Sequence, residues 1–171
     1  MKQLKNRIIV QDNFFSKKML NKIKIDLTHQ KFINRFKIRN NTPYQKIYFN
    51  VDLKDTHPVV LETKKILKKK FNLNCFNINS HYFLSTKHKE ATPHADHANE
   101  YNCLIYLQGA NLLNSGTGFY DKINNTYHLN SHIGFKENRA IIFDSKIFHS
   151  SLQFNEGGGT RYCLANFINN K

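Results

Sequence analysis

The 171-residue chain is poor in several features that would have placed it quickly. It contains no run of about 18 apolar residues, so no transmembrane helix and no membrane partner are expected. The opening MKQLKNRIIVQDNFF carries only three consecutive apolar residues after its basic start, too few for a secretory signal. Both absences point to a cytoplasmic protein. Its three cysteines, Cys75, Cys103 and Cys163, lie far apart and form no CxxC, which excludes a zinc knuckle and a disulfide framework. Each falls in a strand-like run and reads as a buried free thiol. Repeats, low-complexity linkers and composition breaks are also missing, so residues 1–171 read as one domain. The glycine cluster EGGGT (156–160) matches neither GxxxxGK nor GxGxxG and reads as a flexible turn, not a phosphate cradle.

Acidic residues are scarce: 12 against 26 basic ones, a formal charge of +14. Such a balance admits a nucleic-acid partner. Yet nearly all the basic residues are lysine, and arginine, the better reader of phosphates and base edges, is rare. No RNP-type or zinc-finger motif accompanies the charge. In a chain also rich in Asn and Ile, the lysine excess reads chiefly as solubility and composition.

The chain does hold a strand-and-helix segment followed by a β-rich one. Residues 1–75 predict an N-terminal strand and supporting helices. RIIVQDNF (7–14) is strand-like and leads into a helix that Ser16 is placed to cap, with Leu20, Ile23 and Leu27 on one face. DTHPVVLETKKILKKKF predicts a second helix, with Thr56 as cap and Pro58 in the first turn. Val59, Val60, Thr63, Ile66, Leu67 and Phe71 form its apolar stripe, which leaves the lysine run as a solvated face. Residues 76–171 read as short strands separated by turns: 77–85, 91–97, 101–108, 117–123, 126–135, 139–145, 148–154 and 161–169. Eight short strands after two helices predict a mainly β, α+β fold with a jelly-roll core and helices packed outside.

TPHADHANEYN (92–102) concentrates His94, Asp96 and His97 just before an apolar run. At strand spacing His94 and Asp96 point the same way, and His97 points away. A third metal ligand must come from elsewhere, and the other candidates are His128, His132 and His149. The first two sit in a polar stretch with no apolar frame. His149 opens a strand close to the C-terminal strand pair, where a barrel would bring it back beside the His-x-Asp segment. Two histidines and one carboxylate make the facial triad of non-haem Fe(II) oxygenases, with coordination positions left open.

At these residues the chain resembles the Fe(II)/2-oxoglutarate-dependent oxygenases, in particular their prolyl-4-hydroxylase-like branch. The resemblance rests on His94-Ala95-Asp96, the distal His149 and Arg161 on the last strand. YNCLIYLQ is similar to that branch's strand after the motif, GTGFY to its glycine-led strand, and IIVQDNFFSKKML to its lead-in strand and first helix. It covers nearly the whole chain and implies a double-stranded β-helix core, Fe(II) as metal, and 2-oxoglutarate and O2 as cosubstrates. It further implies that Arg161 holds the C5 carboxylate of 2-oxoglutarate through paired hydrogen bonds, and that Tyr106 and Tyr82 give hydroxyls to the cosubstrate. Arg161 begins the alternation Arg161, Cys163, Ala165, Phe167, which puts it on an inward face with small and apolar residues. The loop before it is lengthened by Gly157-Gly158-Gly159. The expected activity is a dioxygenase, specifically a hydroxylase, forming succinate and CO2 from 2-oxoglutarate. A metallo-β-lactamase-like site would need histidine where Thr92 stands, and a halogenase on this fold would lack the carboxylate of Asp96. The alternative from another class is a basic, non-catalytic nucleic-acid-binding β-barrel. The primary substrate stays open among peptide residue, amino acid, nucleobase and small metabolite.

Overall fold

The computed structural model describes residues 7–33, 48–85, 92–152 and 160–170. Strand β1 (Ile8–Gln11) leads into helix α1 (Lys17–His29), and strand β2 (Tyr48–Leu53) into helix α2 (Pro58–Phe71). Seven strands follow: β3 (Asn77–Ser85), β4 (Tyr101–Gln108), β5 (Gly116–Ile123), β6 (Thr126–Gly134), β7 (Ala140–Asp144), β8 (Phe148–Ser151) and β9 (Arg161–Asn169). They form a six-stranded antiparallel sheet ordered β1-β7-β4-β9-β3-β2 and a three-stranded sheet ordered β6-β5-β8. The two sheets make the jelly-roll core expected from the run of short strands. Among the described residues no helix is long and apolar enough to cross a membrane.

Both helices form because their apolar residues recur on one side. Ser16 accepts a hydrogen bond from the Met19 amide at 3.2 Å and caps α1, whose Leu20, Ile23 and Leu27 are buried. The cap of α2 is His57, not Thr56: the Val59 amide donates to His57 Nδ1 at 3.3 Å, and Pro58 occupies the first turn. A histidine ring nitrogen fills the acceptor role that Thr56, one residue too early, cannot reach. The α2 stripe buries Val59, Val60, Thr63 and Leu67, while Ile66 and Phe71 are partly covered. Losing a buried leucine such as Leu67 would cost about 2–5 kcal/mol.

The six-stranded sheet has two unlike faces. One carries Ile78, Cys103, Ile105, Ile142, Leu164 and Ile168 into a core shared with both helices. The other carries Tyr106, Ile141, Phe143 and Cys163 against Phe119 and Phe135 of the smaller sheet's side. All three cysteines are free and buried. The β5–β6 hairpin turns at Asn124 and Asn125, both at positive φ (49° and 62°), as a tight two-residue hairpin demands and as Asn tolerates.

Three sequence expectations are corrected. Residues 92–97 form no strand. His94 makes only an isolated antiparallel bridge with His149, because the chain leaves the sheet again at Asp96, whose amide donates to Ser145 O at 2.8 Å. The strand β2 was not expected, although Phe49, Val51 and Leu53 alternate with Asn50 and Asp52. Strand β5 begins at Gly116, one residue before the expected 117–123, with Gly116 and Gly118 inside it. A Cβ on Gly116 would come within 2.0 Å of Ile133 O, so the hairpin closes only over glycine there. The cluster 156–159 lies outside the described residues.

Candidate metal centre

His94, Asp96 and His149 offer three ligand atoms that lie within 4.8 Å of one another. Their convergence depends on one reciprocal backbone pairing: the His94 amide donates to His149 O at 3.0 Å, and the His149 amide donates to His94 O at 2.8 Å. The bridge sets the imidazoles side by side, with ring centroids 4.6 Å apart.

Each ring is also fixed in rotation and in tautomer. His94 Nδ1 lies 3.3 Å from Thr92 O, and His149 Nδ1 lies 3.0 Å from Ile147 O. A carbonyl oxygen only accepts, so in both rings Nδ1 carries the donated N–H, which leaves Nε2 as the nitrogen placed to ligate a metal. His149 Nε2 comes to 3.4 Å from Asp96 Oδ2. Asp96 Oδ2 also accepts a hydrogen bond from Asn102 Nδ2 at 2.7 Å.

The charges of the group agree with this geometry. His94 stands at the exposed rim of the group; partial desolvation of its ring lowers the imidazole below its ordinary value, and the neighbouring His149 adds to the effect, against an opposing pull from Asp96 and the Thr92 carbonyl. Burial pushes the Asp96 carboxyl up. The hydrogen bond and charge of His149, the charge of His94 and the Asn102 amide together outweigh it and hold the group below the usual carboxylate range. A neutral imidazole beside an ionised carboxylate is the state in which these side chains bind a divalent cation. Two nitrogens and one oxygen with no thiolate suit a non-haem Fe(II) centre, so the residues fit that metal.

The group borders a cavity of ≈ 240 Å³. Phe83, Leu104, Phe143 and Phe167 give it apolar walls, and its buried polar members include Asn102, Thr117 and Arg161. Strand parity explains the walls: Asn102 and Leu104 of β4 pair in register with Phe167 and Ala165 of β9, so all four share the cavity face. The metal group lies at the Asn102–Phe167 end, through the Asn102–Asp96 hydrogen bond. Arg161 is at the opposite end of β9, 5% exposed. Its Nη1 donates to Gly116 O at 3.3 Å, and its guanidinium carbon stands 5.7 Å from the Tyr106 ring centroid and 5.6 Å from that of Phe135. Cys163 beside it is a neutral thiol, which burial pushes up to about 11.

The structure thus brings His94, Asp96, His149 and Arg161 to one cavity. Tyr106 is fully buried behind the Arg161 end, with its hydroxyl 2.8 Å from Thr117 Oγ1 and 3.2 Å from Ile133 O. Burial pushes its hydroxyl well above the ordinary tyrosine value. Tyr82 is not brought there. It is one residue out of phase with Phe83, faces the helices, and donates its hydroxyl to Asp26 Oδ2 of α1 at 2.7 Å. His97 is exposed and outside the metal group. His132 lies on β6, with Nε2 2.8 Å from Leu113 O, and His128 is on the same strand. Sequence reasoning passed over Asn102 and Thr117. Asn102 shares the parity of Tyr106 on β4, and that phase was the available signal.

No family model matches this chain, and no curated protein matches it in sequence. Solved structures do match its fold. A Pseudomonas putida prolyl-4-hydroxylase superposes with a TM-score of 0.66 at 10% identity, over 95% of this chain and 92% of that one. The non-haem alpha-ketoglutarate-dependent epimerase SnoN from nogalamycin biosynthesis gives 0.67 at 6% identity, over 95% and 76%. HygX from Streptomyces hygroscopicus, solved with nickel and 2-oxoglutarate bound, gives 0.63 at 10% identity, over 95% and 82%. At these identities the likeness establishes the shared fold.

Proposed function

We propose that the chain is an Fe(II)- and 2-oxoglutarate-dependent dioxygenase, an oxidoreductase working as a hydroxylase. One observation carries this reading. Two histidines, each with Nδ1 tied to a backbone carbonyl, and one carboxylate bring ligand atoms within 4.8 Å of one another beside an apolar cavity. The match of fold to proteins solved with metal and 2-oxoglutarate supports it.

His94, Asp96 and His149 would hold the iron. When bound, it supplies the O2 activation that couples decarboxylation of 2-oxoglutarate to oxidation of the substrate. Arg161 holds the distal carboxylate of 2-oxoglutarate, where a buried planar guanidinium makes a strong paired contact. The Tyr106–Thr117 hydroxyl pair stands beside it, and the Tyr106 and Phe135 rings keep the arginine in place. Phe83, Leu104 and Phe143 exclude water from the reacting groups.

The test is anaerobic loading with Fe(II) and 2-oxoglutarate, then exposure to O2 with a panel of peptides, amino acids, nucleobases and small metabolites. We expect a weak visible charge-transfer band that needs both components, and succinate formed in step with substrate loss. A protein that shows neither, and binds nucleic acid equally well with Asp96→Ala, is the non-catalytic barrel instead.

A further inference from the structure

Beside the metal group stands an asparagine whose hydrogen bonding differs from that of the other buried asparagines. Three buried asparagines are Asn102, Asn138 and Asn166. Asn138 is satisfied at both ends by Phe15, accepting from its amide at 2.9 Å and donating to its carbonyl at 2.8 Å. Asn166 accepts from Ser80 Oγ at 2.8 Å and donates to Cys103 O at 2.9 Å. Asn102 donates from Nδ2 to Asp96 Oδ2 at 2.7 Å, while its buried Oδ1 accepts no hydrogen bond among the described residues.

The orientation of the amide is not arbitrary. A carboxylate only accepts, so the NH2 end must face Asp96 and the carbonyl end is the one left over. A buried acceptor without a donor is unfavourable to folding. The neighbours of Asn102 on this face are Leu104, Phe143 and Phe167, among which an apolar side chain of the same size would pack without that penalty. The bond to Asp96 stabilises the fold, but the stranded carbonyl offsets it, so folding alone gives little preference for asparagine over leucine here. Its one made bond goes to a candidate metal ligand.

We infer that Asn102 is a positioning residue: it sets the rotation of the Asp96 carboxylate so that the group meets the metal together with His94 and His149. This rests on the metal-centre reading above. Outer partners of this kind typically change metal affinity 10–100-fold.

The experiment compares Asn102→Leu and Asn102→Ala with wild type. The readouts are the thermal midpoint of the metal-free protein, and the Kd and visible absorption bands of Co(II) titrated into it. We expect Asn102→Leu to melt close to the wild-type temperature, the lost bond to Asp96 offset by removal of the stranded carbonyl, and Asn102→Ala below it because truncation leaves a void. Both should bind Co(II) about 10–100-fold more weakly, with altered bands. Co(II) affinity that recovers in Asn102→Leu along with stability would make Asn102 a packing residue and overturn the inference. So would affinity within threefold of wild type in both variants. Should Asn102→Leu fail to fold, the claim that folding does not need asparagine is wrong, and Asn102→Ala still decides the effect on metal. Wild-type protein that binds no Co(II) would bring down the metal-centre reading itself, and the inference with it.

Discussion

The two faces of the six-stranded sheet are built from the same strands and treat polar groups in opposite ways. On the helix side they close on one another. Tyr82 donates to Asp26, Gln30 Nε2 donates to the other oxygen of Asp26 at 2.8 Å, and Asn166 joins Ser80 to the Cys103 carbonyl. On the cavity side His94, Asp96, Asn102, His149 and Arg161 converge on an apolar space. A core and a site made from adjacent residues of one strand thus differ in where their hydrogen bonds end. A core leaves nothing for a ligand, and a site holds its groups in place while keeping some of their capacity for one.

The comparison breaks most sharply at the metal group. We expect His94→Ala to abolish iron binding and 2-oxoglutarate turnover, because two remaining ligands cannot hold the geometry, and His97→Ala to keep iron near the wild-type level. Iron content of the purified variants decides it, and the reverse pattern would move the ligand from His94 to His97. Next in size is Arg161→Ala. Loss of a buried charge-assisted pair costs about 2–5 kcal/mol, roughly 30-fold to several thousand-fold in 2-oxoglutarate affinity, with iron affinity little changed. Titration of the charge-transfer band reads both, and unchanged 2-oxoglutarate affinity would assign the distal carboxylate to another cation.

The helix side should answer in stability alone. Tyr82→Phe removes a hydrogen bond to a charged acceptor, a loss of about 1.5–3 kcal/mol by denaturant unfolding. Cosubstrate and metal affinities should stay unchanged, and a fall in 2-oxoglutarate affinity would mean that the two faces are not independent. The smallest effect lies at the edge of the β1–β7 pair. Asp12 is held down to about 2 by hydrogen bonds from Arg139 first and Lys136 second. Its folded value is below its unfolded one, so its stabilisation is present above about pH 4 and is lost as pH falls toward 2. Asp12→Asn should flatten that part of the acid-unfolding curve, and an unchanged slope would show that the ion pair contributes nothing.

Much of this architecture was legible in the sequence because it depends on local pattern. The apolar spacing of Leu20, Ile23 and Leu27 makes one helix face whatever it packs against, and Ser16 caps it from three residues away. The alternation Arg161, Cys163, Ala165, Phe167 put four residues on one side of a strand, and that side does line the cavity. The His-x-Asp pair pointed to two of the three side chains whose ligand atoms converge, although the strand parity behind it does not hold. The family resemblance implied a cosubstrate role for Tyr82, but local pattern does not say which side of β3 faces the helices, and Tyr82, one residue from Phe83, lies on the helix side.

What the sequence determined by itself, then, is the periodicity of each element and the chemical types available along it, since both are set within a few residues. Tertiary structure decided which periodic face is inside. It supplied the backbone pairing that brings His149, already a candidate in the sequence, beside His94. It also aimed the amide of Asn102 at Asp96. The physical reason is that these choices depend on hydrogen bonds and packing between segments distant in the chain, and local spacing carries no information about which distant strand or helix supplies the partner.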